Sequence, residues 1–176
     1  MLIKVLEKIK PSSDEIRKVF SLARDIINQI KIKDANPVIG GSLAKGTWLH
    51  GIHDIDIFVK FNYLKYKDRS DRISDTLEKN IKKLNAARLH GSRDYFQIRK
   101  KNITIEIIPI LDIRKAPQAK NITDISPLHA KWVKRFKLGD DIRLAKVFAI
   151  AQHAYGAESY IRGFSGYVIE ILTIYY

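Results

Sequence analysis

Asp54 and Asp56 stand two residues apart in the run Asp54-Ile55-Asp56-Ile57-Phe58-Val59-Lys60-Phe61. This alternation predicts a β-strand with Ile55, Ile57, Val59 and Phe61 on one face. The two carboxylates share the other face, about 7 Å apart at the backbone. A third carboxylate, Glu106, interrupts the apolar run Ile103-Thr104-Ile105-Glu106-Ile107-Ile108-Pro109, a second expected strand. Side by side, the two strands would gather all three groups. Like charges that close raise one another's pKa unless a cation lies between them. Hard oxygen ligands favour Mg²⁺, and two such ions can hold the attacking and leaving oxygens of an in-line phosphoryl displacement. A lone D-x-D is more often a pair of solvent-facing strand residues, so a second signal is needed.

That signal is Gly40-Gly41-Ser42, which ends twelve residues before Asp54. A strand that runs into Gly-Gly-Ser and opens a helix offers backbone N–H groups and a hydroxyl to a phosphate, with the helix dipole behind them. Lys45, one turn further on, adds positive charge. The stretch Gly41 to Thr47 superficially matches a Walker A loop, but the Lys that must follow the second Gly is missing, which excludes it. His50 and His53 read as turn residues, and Tyr95 and Phe96 as core.

The elements around these residues follow from periodicity. Ile16, Val19, Phe20, Ala23, Ile26, Ile27 and Ile30 predict an amphipathic helix over 15–31, started by Ser12 and Glu15 in a capping-box pattern. Val38-Ile39 begins a short strand, 43–49 a short helix, and 70–84 a helix opened by Ser70. Residues 94–100 and 103–110 form two strands joined at Lys101-Asn102 as a hairpin. Beyond the Lys-, Ala- and Pro-containing loop 114–121, Ser126-Pro127 reads as an N-cap followed by Pro at the first helical position. Helices are expected at 127–137, 140–154 and 165–176. The last one stays apolar to Tyr176, which suggests a piece of a longer chain.

Composition narrows the class. The 176 residues carry 32 Lys and Arg against 19 Asp and Glu, a net charge of +13, and no Cys. The charge favours a polyanionic partner, nucleic acid above all. The missing cysteines remove disulfides, thiolate zinc sites and cysteine nucleophiles. No run of 18 apolar residues exists, so no membrane partner is expected. The start, MLIKVLEKIK, lacks the uninterrupted apolar stretch of a secretory signal. A cytoplasmic location is expected.

The combined blocks resemble the DNA polymerase beta nucleotidyltransferase superfamily and, within it, the archaeal (class I) CCA-adding tRNA nucleotidyltransferases. They are Gly41-Ser-Leu-Ala-Lys-Gly-Thr-Trp48, Asp54-Ile-Asp56, Ile105-Glu-Ile-Ile-Pro109, Ser126-Pro-Leu-His129 with Lys131-Trp132, Tyr155-Gly-Ala-Glu158 and Arg162-Gly-Phe-Ser-Gly-Tyr167. The resemblance implies an α+β fold: a polymerase-beta-like head of small mixed sheet and flanking helices over 1–120, then the beginning of a helical domain over 121–176 that closes over the nucleotide. It implies that Asp54, Asp56 and Glu106 are catalytic metal carboxylates, and that Ser42, Lys45, His129, Lys146 and Tyr155 bind the nucleotide. Mg²⁺ is the implied cofactor and tRNA, ATP and CTP the implied partners; for the full-length protein a homodimer is entertained. The implied reaction adds CCA to the tRNA 3′ end, the terminal hydroxyl attacking the α-phosphate and pyrophosphate leaving. Two departures stand out. The family usually has Asp where Glu106 stands, and Lys45 occupies a place where Arg also occurs, keeping the charge without the bidentate fork. Another superfamily activity (poly(A) polymerase or oligoadenylate synthase) and a noncatalytic RNA-binding fragment are the alternatives.

Overall fold

The computed structural model describes residues 2–51, 53–100, 102–157 and 159–176. Two helices lead, α1 (Leu2–Ile9) and α2 (Ser13–Gln29). The sheet strands are β1 (Ala35–Ile39), β2 (His53–Asn62), β3 (Ala87–Leu89), β4 (Tyr95–Lys100) and β5 (Ile103–Asp112). Helices α3 (Gly41–Lys45), α4 (Tyr63–Tyr66) and α5 (Ile73–Ile81) lie between the strands. Helices α6 (Ser126–Phe136), α7 (Gly139–Ala151) and α8 (Gly166–Tyr175) complete the chain.

The sheet order is β1-β2-β5-β4-β3, with β2 and β5 parallel and the other neighbours antiparallel. One face is covered. Ile55, Ile57, Val59 and Phe61 of β2 and Ile105, Ile107 and Leu111 of β5 pack there against Val19, Ala23 and Ile26 of α2 and Ile73, Leu77 and Ile81 of α5. Each fully buried Ile or Leu contributes roughly 1.5–3 kcal/mol, so this layer fixes the strand register. Slipping either strand by one residue would turn its isoleucines to the opposite face and its carboxylates into the core. The mixed sheet with flanking helices is the polymerase-beta-like α+β architecture expected.

Most expected elements form, with instructive differences. Helix α2 starts where the capping box places it, the Ser12 hydroxyl accepting from the Glu15 N–H at 3.2 Å. Helix α1 was not foreseen, although Leu2, Val5, Leu6 and Ile9 follow a helical spacing. The helix expected over 43–49 begins at Gly41 and ends at Lys45, because Gly46 adopts a left-handed conformation (φ 71°) that closes the turn. Over 70–84 the α-helix is only Ile73–Ile81, flanked by 3₁₀ turns at Lys67–Arg72 and Lys82–Leu84, and Ser70 does not cap it. Strand β3, also unforeseen, pairs with β4. Ser126 is the first residue of α6, not its cap. Its backbone is already helical (φ −52°, ψ −41°), so its hydroxyl cannot fold back onto the first turn as an extended N-cap does. The hairpin turn expected at Lys101-Asn102 involves Lys101, which lies outside the described residues, as does Glu158.

Candidate active site

The parallel pairing of β2 and β5 sets Asp56 directly opposite Glu106, and Asp54 opposite Thr104. All four side chains leave the sheet on the face away from α2 and α5. The antiparallel neighbour β4 sets Gln97 opposite Glu106 on the other side, and Gln97 Nε2 donates to Glu106 Oε1 at 3.1 Å. Gln97 Oε1 in turn accepts from Arg99 Nε at 2.7 Å. The Glu106 carboxylate is thus steadied from β4 and faces Asp56 across β2.

Electrostatics mark this pair as unusual. Burial, the facing Glu106 and nearby Asp54 push the Asp56 carboxyl up to about 6, against the pull of Lys45 and Lys146. Glu106 is raised too, by burial first and then by Asp54, with the Gln97 hydrogen bond opposing. Acceptor-only oxygens crowded together at a neutralisation cost are what a divalent cation relieves. By charge and position, Asp54, Asp56 and Glu106 fit such an ion. Their oxygens are not drawn to a single point: among the described residues no three His, Cys, Asp or Glu side chains are gathered as a metal-holding group.

The glycine turn sits against the carboxylates. The Gly40 N–H donates to the Asp56 carbonyl at 2.8 Å, bringing the end of β1 onto β2. Gly41 has φ 54°, and any β-carbon there would overlap the Asp56 carboxylate. Ser42 follows as the second residue of α3, its carbonyl accepting from the Thr47 N–H at 3.0 Å. The cavity beside this turn, about 440 Å³, is lined by Gly41, Lys45, Asp56, Phe58, His129 and Tyr167, among others. Helices α6 and α8 therefore form its far wall, opposite the sheet.

The expected nucleotide-binding residues come together unevenly. Lys45 and His129 line the cavity, with the His129 ring 3.9 Å from the Tyr167 ring, centroid to centroid. Lys146 is buried behind them, its ammonium donating to the Thr47 carbonyl at 3.2 Å and hydroxyl at 3.1 Å. Tyr155 lies near Lys146, at the back of Gly166: a β-carbon on Gly166 would stand 3.0 Å from the Tyr155 hydroxyl and 3.9 Å from Lys146 Cε. Neither Lys146 nor Tyr155 lines the cavity beside the glycine turn. The backbone of His53 opens β2, while His50 is tied down by Glu15, Nδ1 to Oε2 at 2.6 Å.

One residue at the centre of this region was not singled out. Glu170, fully buried on α8, receives Lys45 at 2.8 Å, His129 at 2.9 Å and Lys146 at 3.4 Å, and the Thr47 hydroxyl donates to it at 3.2 Å. Burial pushes its carboxyl up, but Lys45, Lys146 and His129 outweigh that and hold it below the usual range. Burial also lowers His129 and Lys146, each against an upward pull from Glu170. The available signal was a single carboxylate in an otherwise uncharged helix, Gly166-Tyr-Val-Ile-Glu-Ile-Leu-Thr-Ile-Tyr175.

A family model described as a nucleotidyltransferase domain matches residues 20–129, and one described as the second domain of tRNA nucleotidyltransferase matches residues 140–176. The chain is 47% identical over 142 residues to the CCA-adding enzyme of Nanoarchaeum equitans, covering 78% of this chain and 35% of that protein. It is 36% identical over 177 residues to the CCA-adding enzyme of Sulfurisphaera tokodaii, covering 98% of this chain and 42% of that protein. The chain thus spans less than half the length of these relatives. A cytoplasmic RNA terminal U-transferase shares the fold at TM-score 0.70 and 18% identity, over 99% of this chain and 51% of that one. E. coli MS115-1 CdnC with ATP does so at TM-score 0.64 and 17% identity, over 99% and 64%. Among the described residues, no helix is long and apolar enough to cross a membrane.

Proposed function

Because the chain belongs to the nucleotidyltransferase domain family, we propose that it is the nucleotidyl-transferring part of a CCA-adding tRNA nucleotidyltransferase, acting on CTP and ATP in the cytoplasm. The observation that carries this reading is the adjacency of Asp56 and Glu106 on parallel strands, beside a glycine turn and across a cavity from Lys45 and His129. The identity to archaeal CCA-adding enzymes supports tRNA as the acceptor, and the net charge of +13 suits a polyanion of that size.

In this reading residues 1–120 are the catalytic head and 121–176 begin the helical portion. Asp54, Asp56 and Glu106 would hold Mg²⁺, which would supply charge neutralisation at the phosphates when bound. The remaining work belongs to side chains and backbone. The Gly41 and Ser42 amides and the Ser42 hydroxyl receive phosphate oxygens at the start of α3. Lys45 balances their charge from the same helix, and His129 borders the nucleotide from α6. Lys146 on α7 and Tyr155 in the segment before α8, set back behind the cavity, are the further triphosphate contacts of this reading. Catalysis rests on positioning and on charge complementarity in a cleft partly shielded from water.

The test is incorporation of labelled CTP and ATP into tRNA lacking its 3′ end, with Mg²⁺, by this chain and by a longer form carrying the C-terminal length of the relatives. Sequential addition of C and A, lost in Asp56→Ala, is the expected result. Incorporation of U or a run of A would redirect the assignment within the superfamily. Binding of Mg²⁺-ATP with no incorporation by either form would leave a noncatalytic RNA-binding role.

A further inference from the structure

Glu170 accepts from more cationic groups than any other carboxylate at the cavity, yet it does not line that cavity. Lys45 and Thr47 come from α3 and the turn after it, His129 from α6 and Lys146 from α7. Helices α6 and α7 pack against α8, Lys45 of α3 reaches it through its ion pair, and the only carboxylate on α8 is Glu170, wholly buried. Left to themselves, the two ammonium groups would repel one another, and flexible lysine stems would carry their charges out to solvent. A single buried carboxylate removes that repulsion and fixes their positions.

We propose that Glu170 is the positioning residue of the phosphate-binding site: it holds Lys45 and His129 in place at the edge of the cavity and Lys146 behind them. This deepens the nucleotidyltransferase reading and rests on it. The division of labour follows from geometry. The Lys45 side chain is 13% exposed while Glu170 is 0% exposed, so the lysine, not the carboxylate, is the group a ligand meets. An ammonium has three donors. One is spent on Glu170 at 2.8 Å, which leaves two for phosphate oxygens. Lys146 is buried and has its pKa pulled down by that burial, with Glu170 pushing back. Removing the carboxylate therefore costs the site the orientation of these groups.

The alternative role for the same contacts is competition, in which Glu170 occupies the cations and the nucleotide must displace it. The two roles predict opposite signs. Glu170→Gln keeps the shape and removes the charge; Glu170→Asp keeps the charge on a shorter stem. Binding of ATP and of inorganic tripolyphosphate to this chain is measured by calorimetry with Mg²⁺, alongside the pH titration of His129 by NMR. The positioning role predicts roughly tenfold weaker tripolyphosphate binding for Glu170→Gln, the loss of about one charge-assisted hydrogen bond. It also predicts partial recovery in Glu170→Asp and a lower His129 pKa in Glu170→Gln than in the native chain. In the longer form, KM for nucleotide rises more than kcat falls. Tighter binding by Glu170→Gln, or unchanged binding with an unmoved His129 titration, overturns the positioning role while leaving the nucleotide site standing. Failure of the native chain to bind either ligand overturns the functional reading and this inference together.

Discussion

Gly41 and Asp56 fit together only because Gly41 lacks a β-carbon, whose place the Asp56 carboxylate already takes. Gly41 also holds a left-handed conformation, φ 54°. Gly41→Ala therefore meets two obstacles, strain and collision, for a loss of about 2–3 kcal/mol. It should also push Asp56 out of line and abolish nucleotide incorporation. Gly46 is the control: its φ is 71°, but nothing lies within 4 Å of an added β-carbon. Gly46→Ala should cost about 1 kcal/mol and spare activity. Urea denaturation and incorporation assays on both variants check the contrast.

Asp56→Asn should abolish transfer while making the metal-free protein no less stable at neutral pH. A carboxyl whose pKa rises on folding, from 3.8 to about 6, favours the folded state fully below the unfolded value. That advantage is gone once pH passes about 6, where the buried charge must be carried. The amide carries none. Thermal melts at pH 5 and pH 8 should show the native chain losing more stability between the two than the variant. Adding Mg²⁺ should raise the melting temperature of the native chain alone.

Glu106 separates charge from shape. Glu106→Asp shortens the reach but keeps the carboxylate, and should retain metal-dependent activity in the longer enzyme. Glu106→Gln should lose most of it, although Gln97 can still find a hydrogen-bond partner there and the fold should be intact. Circular dichroism and incorporation assays test both halves. Equal activity in the two variants would remove Glu106 from the metal-binding set.

Acid should loosen the junction between the sheet and the C-terminal helices in two stages. His129 is held below its usual 6.5 in the fold, so its contribution is present above 6.5 and is lost as pH falls through the lower folded value. Glu170 is likewise held below 4.5, so its contribution persists above 4.5 and fades as pH drops further. Melting temperatures between pH 7 and pH 3 should fall in the native chain, and Glu170→Gln should flatten the lower part of that curve. A lower limb equally steep in the variant would show that other carboxylates govern it.

The paired carboxylates were legible because a strand repeats every two residues, so Asp54 and Asp56 announce a shared face beside isoleucines that must be buried. The parallel neighbour of that strand could be expected only through Glu106's place in an apolar run; the register itself comes from packing on α2 and α5. The glycine turn was legible from residue types, but α3 ends at Lys45, four residues before the end that apolar spacing suggested, because Gly46 is left-handed. Helix α1 escaped notice because eight residues give little periodicity to read. Glu170 escaped for a different reason. Its partners lie 24 to 125 positions away, and no local pattern encodes an attraction across such a distance.

That distance bears on how the molecule comes into being. Closing a long chain segment has an entropic cost that precedes any return from the contact, so structures rich in sequence-distant contacts form slowly. Lys45 and Glu170 are 125 residues apart, Thr47 and Lys146 99, and Trp48 and Arg143 95. At roughly 5–20 residues per second on a ribosome, the glycine turn waits many seconds for α8 to be made. During that interval the sheet can pair and its isoleucines can find α2 and α5, while Lys45 still lacks its counter-charge. Nascent chains of this protein would thus pass through a stage with an assembled carboxylate face and an unfinished cationic wall, and the last helix would convert one into the other.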